Sequence, residues 1–254
     1  MANTVYENKV LEVRAQDLLT TAVNTRNLMA IDNSLTQQAG MIKTINVYTY
    51  TGAAEELGIG EGNSTRGGVA YAGKDYTVKL VQQAFDYQDE DFMKDNNVVD
   101  MGVKGATQLM TNKMTADFVA ELGKATLTQT GGLSYDTIVD AIAKLNLEDE
   151  AGLYIITNPE GKAALRKDPD YVAARMGEVV YNGQVGTIAG IPVIVSKAVT
   201  ETYNVHKDAI NLFLKKDVEV EQERDADTRT NSIYLRACYI VALEDATKVC
   251  KITD

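Results

Sequence analysis

The segment from Asn96 to Ala125 restricts the fold of this chain more than any other stretch of its sequence. Apolar residues recur there every three or four positions, which places them on one face of an α-helix: Val99, Val103, Ala106, Met110, Met114, Phe118 and Leu122. At about 1.5 Å per residue such a helix is roughly 40 Å long, the width of a small domain. Gly102 and Gly105 each weaken its first turns by about 1 kcal/mol relative to alanine, so tertiary contacts must support the helix.

A long hairpin is predicted before the helix, from residue 43 to residue 85. The outgoing strand is almost entirely β-branched or aromatic, with Ile45, Val47 and Thr49 on one face and Thr44, Asn46, Tyr48 and Tyr50 on the other. The return strand alternates in the same way from Tyr76 to Leu80. Five glycines between Gly58 and Gly68 indicate a flexible tip. Because a lone two-stranded ribbon is marginally stable in water, this one must lie on the body of the protein or on a neighbouring copy.

The remaining segments are a polar N-terminal arm, an α/β middle and a β-rich tail. Residues 1 to about 40 are weakly periodic, which indicates an extended arm with some helix. Ser134 caps one predicted helix after the long one, and Asn158 with Pro159 begins another. Strands are expected at residues 153–157, 185–188, 191–195, 210–214, 218–221, 233–243 and 247–252. The order of these segments predicts an α+β protein.

Composition excludes several classes of function. The chain has 254 residues, a net charge of -11 and a pI near 4.7, which argues against nonspecific affinity for nucleic acid or for an anionic membrane. No apolar run reaches the roughly 18 residues of a transmembrane helix, and no secretory signal is visible. Cys238 and Cys250 are the two cysteines, and we expect reduced thiols in a cytosolic protein.

No pattern in the sequence predicts catalysis, a metal site or a cofactor. His206 is the one histidine, and its polar surroundings favour a solvated loop residue over a general base. The glycines at residues 58–62 lack the third glycine of a dinucleotide-binding turn. The acidic run Asp86, Asp89, Glu90 and Asp91 lacks the glycine and spacing of an EF-hand, so it is interpreted as a solvated or salt-bridged face.

Four stretches, taken in order, resemble the major capsid proteins of tailed bacteriophages with the HK97-like fold. MIKTINVYTYTG at residues 41–52, followed by the glycine-rich tip, is similar to the outgoing half of that family's extended hairpin, and YTVKLVQQAFDYQDEDF at residues 76–92 is similar to its return. GTIAGIPVIVS at residues 186–196 resembles the Gly-x-x-x-Gly-x-Pro-Val stretch of the family's A-domain. The strands of residues 217–252 resemble those that close its P-domain.

The resemblance implies a division of the chain into four parts. Residues 1–42 correspond to an N-terminal arm, 43–82 to the E-loop hairpin, 83–130 with 212–254 to the P-domain, and 131–211 to an α/β A-domain. The long helix is then the spine of the P-domain, on which the strands of residues 218–252 pack, with the hairpin leaving from one end and the A-domain from the other. Gly102 and Gly105 would let a strand approach the helix closely. No scaffolding segment is visible before the arm, so scaffolding is expected from a separate protein or another mechanism.

The resemblance also suggests residues that join neighbouring subunits. Candidates for ion pairs between subunits lie in the hairpin tip and in the charged turn of the tail: Glu55, Glu56, Glu61, Arg66, Arg224, Asp225, Asp227 and Arg229. Some shells with this fold carry covalent lysine–asparagine links, for which Lys74, Lys79 and Asn231 have the required residue types. Simple solvation of all these groups is the alternative interpretation, since exposed pairs contribute only about 0–1 kcal/mol.

The function implied is structural. The chain is expected to assemble as hexamers and pentamers into an icosahedral phage head that encloses double-stranded DNA without sequence-specific contacts, with separate scaffolding, portal and decoration proteins as further partners and no membrane or cofactor. It is expected in the virion, after assembly in the host bacterial cytoplasm. Two alternatives remain: an encapsulin-like bacterial compartment, whose typical N-terminal helix is not evident here, and a cytosolic α+β enzyme or ligand-binding protein.

Overall fold

The computed structural model describes residues 11, 13, 15, 25–169 and 186–253. Half of the predicted N-terminal arm, and part of the predicted A-domain, therefore lie outside the described residues. The helices are α1 (Asp89–Lys94), α2 (Val98–Leu122), α3 (Tyr135–Lys144) and α4 (Pro159–Lys167), with short 3-10 turns at Thr25–Leu28, Ser34–Gln37, Lys207–Ala209 and Ala246–Lys248. The strands are β1 (Ala30–Asp32), β2 (Ile42–Thr51), β3 (Gly68–Thr77), β4 (Lys79–Gln88), β5 (Leu127–Thr130), β6 (Leu153–Thr157), β7 (Thr187–Ile188), β8 (Ile191–Val195), β9 (Thr202–His206), β10 (Ile210–Asp225), β11 (Thr230–Leu243) and β12 (Val249–Thr253).

A four-stranded sheet in the order β1-β10-β11-β4 lies against α2. Strand β11 is antiparallel to both of its neighbours, β10 and β4, whereas β1 runs parallel to β10. The sequence suggested two separate strands at residues 210–214 and from 218 onward. The structure has one continuous strand, β10, because two irregularities between Leu214 and Glu219 shift its register against β11 without ending the pairing.

A six-stranded sheet in the order β5-β12-β9-β6-β8-β7 forms the second layer of the protein. Helices α3 and α4 cover part of it, and both begin at the predicted caps: Ser134 accepts a hydrogen bond from the Thr137 amide, and Asn158 accepts one from the Gly161 amide. Strand β6 is buried along its whole length, as its unbroken apolar sequence predicts. The two sheets share one apolar core with α2, because Tyr203 and Val205 of β9 join the same cluster as the helix.

The predicted hairpin is correct in its outgoing strand and wrong in the extent of its return. Strand β2 pairs with β3 from Ile42–Thr77 to Thr51–Gly68, but the return strand is interrupted at Val78. Val78 is buried, and its amide donates to the carbonyl of Met41. The chain then continues as β4, whose partner is β11 instead of β2. The alternation of residues 76–80 spans this break, which is why the sequence showed one strand.

The long helix α2 is confirmed, and its seven predicted stripe residues are all buried. It packs on β4 and β11, so the predicted contact with the closing strands holds for β11, whereas β12 belongs to the other sheet. Gly102 fits the predicted close approach: a Cβ there would lie 2.2 Å from the ring of Phe85 on β4. Gly105 does not, because a Cβ there meets no atom within 4 Å.

Candidate assembly surfaces

The outer part of the hairpin exposes a row of aromatic side chains. The register of β2 and β3 places Tyr48 opposite Tyr71 and Tyr50 opposite Val69 on one face, and all four are exposed. The rings of Tyr48 and Tyr71 are 6.2 Å apart between centroids, a spacing typical of paired aromatic residues. Exposed apolar surface of this kind on a two-stranded ribbon marks an interaction surface.

The base of the hairpin, in contrast, is fixed to the body. Ile45, Tyr76 and Val78 form a buried cluster with Phe213 and Ile240 on the face of the four-stranded sheet away from α2. The Tyr76 hydroxyl donates to the carbonyl of Leu243, at 3.2 Å. A ribbon held in this way at its base projects in a defined direction, which lowers the entropic cost of placing its outer part on a partner.

Asp117 joins the hairpin base to the long helix. Its side chain is 7% exposed and accepts hydrogen bonds from Lys79 at 2.8 Å, Lys113 at 3.2 Å and the Tyr239 hydroxyl at 3.1 Å. Burial by itself raises the pKa of Asp117, but the hydrogen bonds from Lys79 and Lys113 and the charge of Lys79 outweigh it, so the pKa lies below its ordinary value. Burial and the adjacent Asp117 carboxylate also raise the pKa of Tyr239.

These contacts place the hairpin at an unexpected end of the helix. Asp117 lies in the C-terminal half of α2, and the Lys124 ammonium group, just beyond that helix, lies 5.7 Å from the centroid of the Tyr76 ring. The chain also enters the six-stranded sheet from this end, through β5. The expectation that hairpin and A-domain leave from opposite ends is therefore wrong. The reason is that β4 runs antiparallel to α2 and carries the hairpin base back past the helix.

A single carboxylate organises the tip of the hairpin. Glu55 accepts hydrogen bonds from the Ser64 amide at 2.6 Å, the Ser64 hydroxyl at 2.7 Å and the Thr65 amide at 2.9 Å, and from the Thr65 hydroxyl. The hydrogen bonds from Ser64 and Thr65 lower the pKa of Glu55 to about 2. Glu61 closes the apex, where it accepts from the Gly58 amide at 3.1 Å. The glycine-rich tip thus contains a set of internal hydrogen bonds that its composition did not reveal.

The charged turn between β10 and β11 is tied to α1 of the same chain. Arg224 pairs with Asp89 at 2.7 Å, and Arg229 pairs with Glu90 at 2.8 Å. The hydrogen bonds from Arg224 and from the Asn231 amide hold the pKa of Asp89 below its ordinary value. Asp225 is part of the turn itself, and hydrogen bonds from the Asp227 amide and the Thr228 hydroxyl lower its pKa.

Comparison with known proteins gives one relative and many structures. No family model matches the chain. The major capsid protein of Staphylococcus phage phiMR11 is 24% identical over 258 residues, which cover 96% of this chain and 92% of that protein. The mature capsid of bacteriophage PhiM1 superposes with a TM-score of 0.68 at 11% identity, over 90% of this chain and 86% of that one. A virus-like particle from Pyrococcus furiosus gives a TM-score of 0.68 at 10% identity, over 98% and 100%.

The chain has the HK97-like capsid fold. The resemblance predicted from four sequence stretches is thereby confirmed, as is the α+β class. The HK97-like fold also accounts for the layout described above, in which an extended hairpin, a long helix with antiparallel strands, and a separate α/β layer follow one another.

The structure divides the predicted intersubunit residues into two sets. Arg224 and Arg229 pair within the chain, Glu55 and Glu61 accept hydrogen bonds within the tip, and Asp225 does so within its own turn. In the described part of the chain, the side chains of the second set are exposed and have no ion pair: Glu56, Arg66 and Asp227. We therefore expect ion pairs between subunits chiefly from the second set, which the sequence alone did not distinguish from the first.

The three residues considered for covalent links also make contacts within the chain. The Lys74 ammonium group lies 5.0 Å from the centroid of the Tyr76 ring, Lys79 pairs with Asp117, and the Asn231 amide donates to Asp89 at 2.7 Å. A link between subunits would require these contacts to break. Its test is whether mature particles boiled in denaturant give bands larger than the monomer.

Other chemistry remains unsupported in the described ranges. Residues 25–169 and 186–253 contain no group of three or more histidine, cysteine or acidic side chains arranged to hold a metal ion. His206 ends β9 instead of lying in a solvated loop, and its imidazole contacts the carbonyl of Ala151 at 2.9 Å. Within the described residues, no helix has the length and hydropathy needed to cross a membrane.

Asp117 was not predicted as a functional residue from the sequence. One feature of the sequence could have indicated it: an acidic side chain within the apolar stripe, four residues after Lys113.

Replacing Glu55 with alanine is expected to loosen the tip. The pKa of Glu55 lies below its ordinary value of about 4.3, so its stabilisation of the loop is present above that value and is lost as the pH falls through about 2. Hydrogen exchange of the amides of residues 52–67 on the unassembled subunit should therefore accelerate in Glu55→Ala at pH 7. Glu56→Ala is the matched control, because Glu56 is exposed. Equal protection in both variants would contradict the assignment.

Proposed function

We propose that this chain is the structural subunit of a phage head, and that copies of it assemble into an icosahedral shell that forms the capsid of the virion. The observation that carries the proposal is the combination of the HK97-like fold with a hairpin that is fixed at its base and exposed at its aromatic outer part. The match to a phage major capsid protein over 96% of the chain supports it. The role is mechanical, and no catalytic step is part of it.

The contacts of the shell follow from the shape of one subunit. Contacts between the hairpin of one copy and the body of the next are heterologous, and heterologous contacts that close generate rings, here hexamers and pentamers. Burial of exposed apolar surface supplies the driving force, at roughly 25 cal/mol per Å². The division proposed is arm 1–42, E-loop 43–82, P-domain 83–130 with 212–254, and A-domain 131–211.

The contents and surroundings of the shell are part of the same proposal. The net charge of -11 suits a shell that encloses double-stranded DNA without binding it tightly. Assembly takes place in the host bacterial cytoplasm, with scaffolding, portal and decoration functions supplied by separate proteins. The shell makes no contact with a membrane.

A compartment that encloses protein is the second candidate. The virus-like particle from Pyrococcus furiosus matches over 98% of this chain and the whole of that one, so the fold itself suits both kinds of shell. The match to a phage capsid protein over 96% of this chain, at 24% identity, favours the phage head. The content of native particles, DNA or protein, distinguishes the phage head from the compartment.

Electron microscopy of the purified chain tests the proposal. We expect closed shells, alone or together with proteins encoded beside it in its genome, and nuclease-resistant DNA inside particles recovered from infected cells. A variant that lacks the tip residues 53–66 is expected to remain folded and to form no shells. Wild-type protein that stays monomeric under all these conditions would overturn the proposal, and native particles filled with protein instead of DNA would favour the compartment.

A further inference from the structure

A cavity of about 510 Å³ lies beside the six-stranded sheet, on the face that this sheet turns toward α2. Tyr154 of β6 and Ile194 of β8 line it, and both pack against the core cluster that contains α2. Leu28, at the end of the 3-10 turn that begins at Thr25, lines it from the side of the N-terminal arm. Leu28 and Ile194 are half-buried, so the apolar core continues into the cavity. The volume is within the range of ligand cavities, roughly 300–1,000 Å³.

The turn beside the cavity holds an alanine in a conformation that favours glycine. Ala189 and Gly190 join β7 to β8 as a two-residue loop, with φ angles of 49° and 84°, and both residues line the cavity. These angles match a type I′ turn, in which asparagine, aspartate or glycine is the usual first residue. Strained backbone of this kind is found mainly at binding sites and switch regions, so the turn marks the cavity as a candidate binding site.

The mouth of the cavity is acidic on one side. Glu148, Asp149 and Glu150 are consecutive exposed residues before β6, and Glu150 lines the cavity. In the part of the chain that the structure describes, none of these three carboxylates has an ion pair. Lys207 also lines the cavity, and its amide donates to the carbonyl of Gly152 at 3.0 Å, which joins it to the same loop. Three carboxylates beside one ammonium group leave an excess of negative charge next to an apolar cavity.

On the basis of the proposed function, in which separate proteins assist the shell, we propose that this cavity binds a segment of one such protein. The segment carries an apolar side chain that enters the cavity between Leu28 and Ile194. Basic residues on either side of it face Glu148 and Glu150. The apolar side chain supplies most of the affinity, because it is removed from water, and the charges fix the register of the segment.

The charges disfavour a second copy of this chain as the occupant. Among the described residues, the most exposed large apolar side chain is that of Ile59, which stands between Glu56 and Glu61 in the sequence. Acidic neighbours of an inserted side chain would meet the acidic mouth, and like charges in contact cost affinity. The chain as a whole has a net charge of -11, so the complementary basic segment is assigned to a different protein.

Selection from a library of random peptides on the unassembled subunit tests the proposal. Peptides that also bind Ala151→Phe are removed, and we expect the remaining peptides to share an apolar residue flanked by lysine or arginine. Ala151 is exposed and lines the cavity, so phenylalanine there blocks the mouth without entering the core. The affinity of a recovered peptide should be at least about tenfold lower for Ala151→Phe, whose melting temperature should equal that of wild type.

Charge reversal distinguishes this site from general attraction to an acidic protein. Glu148→Lys with Glu150→Lys should lower the affinity of the recovered peptide at least about tenfold. Asp140→Lys with Glu223→Lys, at two other exposed acids, makes the same change of net charge and should lower it less than about twofold. Ala189→Gly relieves the strained turn, so the melting temperature should rise by about 2–4 °C, whereas loss of the methyl group should lower the affinity about fourfold.

Three results would overturn the assignment of this partner. They are the recovery of no peptide or of acidic peptides alone, an affinity that the reversal of Glu148 and Glu150 leaves unchanged, and an equal loss in the control pair. Each of these results concerns the unassembled subunit and leaves the proposed shell intact. Electron microscopy of the wild-type chain tests the shell separately, and a chain that forms no shells would overturn the proposed function itself.

Discussion

Replacing Gly102 with leucine is expected to prevent stable folding of the subunit. Even the Cβ of alanine at this position would lie 2.2 Å from Cε2 and 2.6 Å from Cδ2 of Phe85, and leucine adds three further carbons in the same space. The Phe85 ring is partly buried against the core that α2 shares with the sheet, so turning it away would expose apolar surface. Overpacking of a core typically costs about 1–3 kcal/mol, and we expect at least about 3 kcal/mol where an aromatic ring and a strand must both move.

Urea unfolding of the unassembled subunit measures the effect. Gly105→Leu is the matched control, since it makes the same change three residues later on the same helix where the space is open. Gly102→Ala combined with Phe85→Leu should recover part of the stability lost in Gly102→Ala, because the two side chains compete for one volume. Equal stability of Gly102→Leu and wild type would show that the helix does not lie this close to β4.

Replacing Asp117 with asparagine is the second change with a large expected effect. The substitution leaves Lys79 and Lys113 without their carboxylate and weakens the hydrogen bond of the Tyr239 hydroxyl, all at the joint between α2, β4 and β11. Hydrogen bonds to a charged group contribute about 1.5–3 kcal/mol each when buried, but both lysines are about half exposed. We therefore expect a total loss of about 2–3 kcal/mol at pH 7.

The pH dependence of stability tests the same group independently. The pKa of Asp117 is lowered in the folded chain, so its contribution is fully present above the unfolded value of about 3.9 and disappears as the pH falls through the folded value. The difference in free energy of unfolding between wild type and Asp117→Asn should therefore be constant from pH 5 to 7 and shrink below about pH 4. Asp140→Asn is the control, because Asp140 is an exposed residue of α3. A difference that persists unchanged in acid would contradict the ionised network.

Features set by neighbouring residues were predictable from the sequence. The period of the stripe from Val99 to Leu122 fixed the long helix, because an apolar face of that length requires burial wherever the helix packs. Ser134 and Asn158 marked two helix starts, since a cap acts on amides two or three positions away. The order of the segments, with their resemblance to phage capsid proteins, led to the correct fold.

Features set by residues far apart in the chain required the tertiary structure. The return strand breaks at Val78 because the residues after it pair with β11 instead of β2. The alternation of residues 76–80 does not reveal this change of partner. Arg224 and Asp89 are 135 positions apart, so only the fold shows that this charge is paired within the subunit. Gly102 and Gly105 looked equivalent in the sequence, and the position of Phe85 distinguishes them.

The sequence by itself thus determined the helix, the ribbon and their order, because hydrophobic period and capping are properties of neighbouring residues. The tertiary structure decided which faces remain uncovered: the aromatic side of the hairpin, the apex at Ile59 and the gap above Gly105. The physical reason is that exposure is what remains after every segment has packed, and packing joins side chains that sequence distance does not relate.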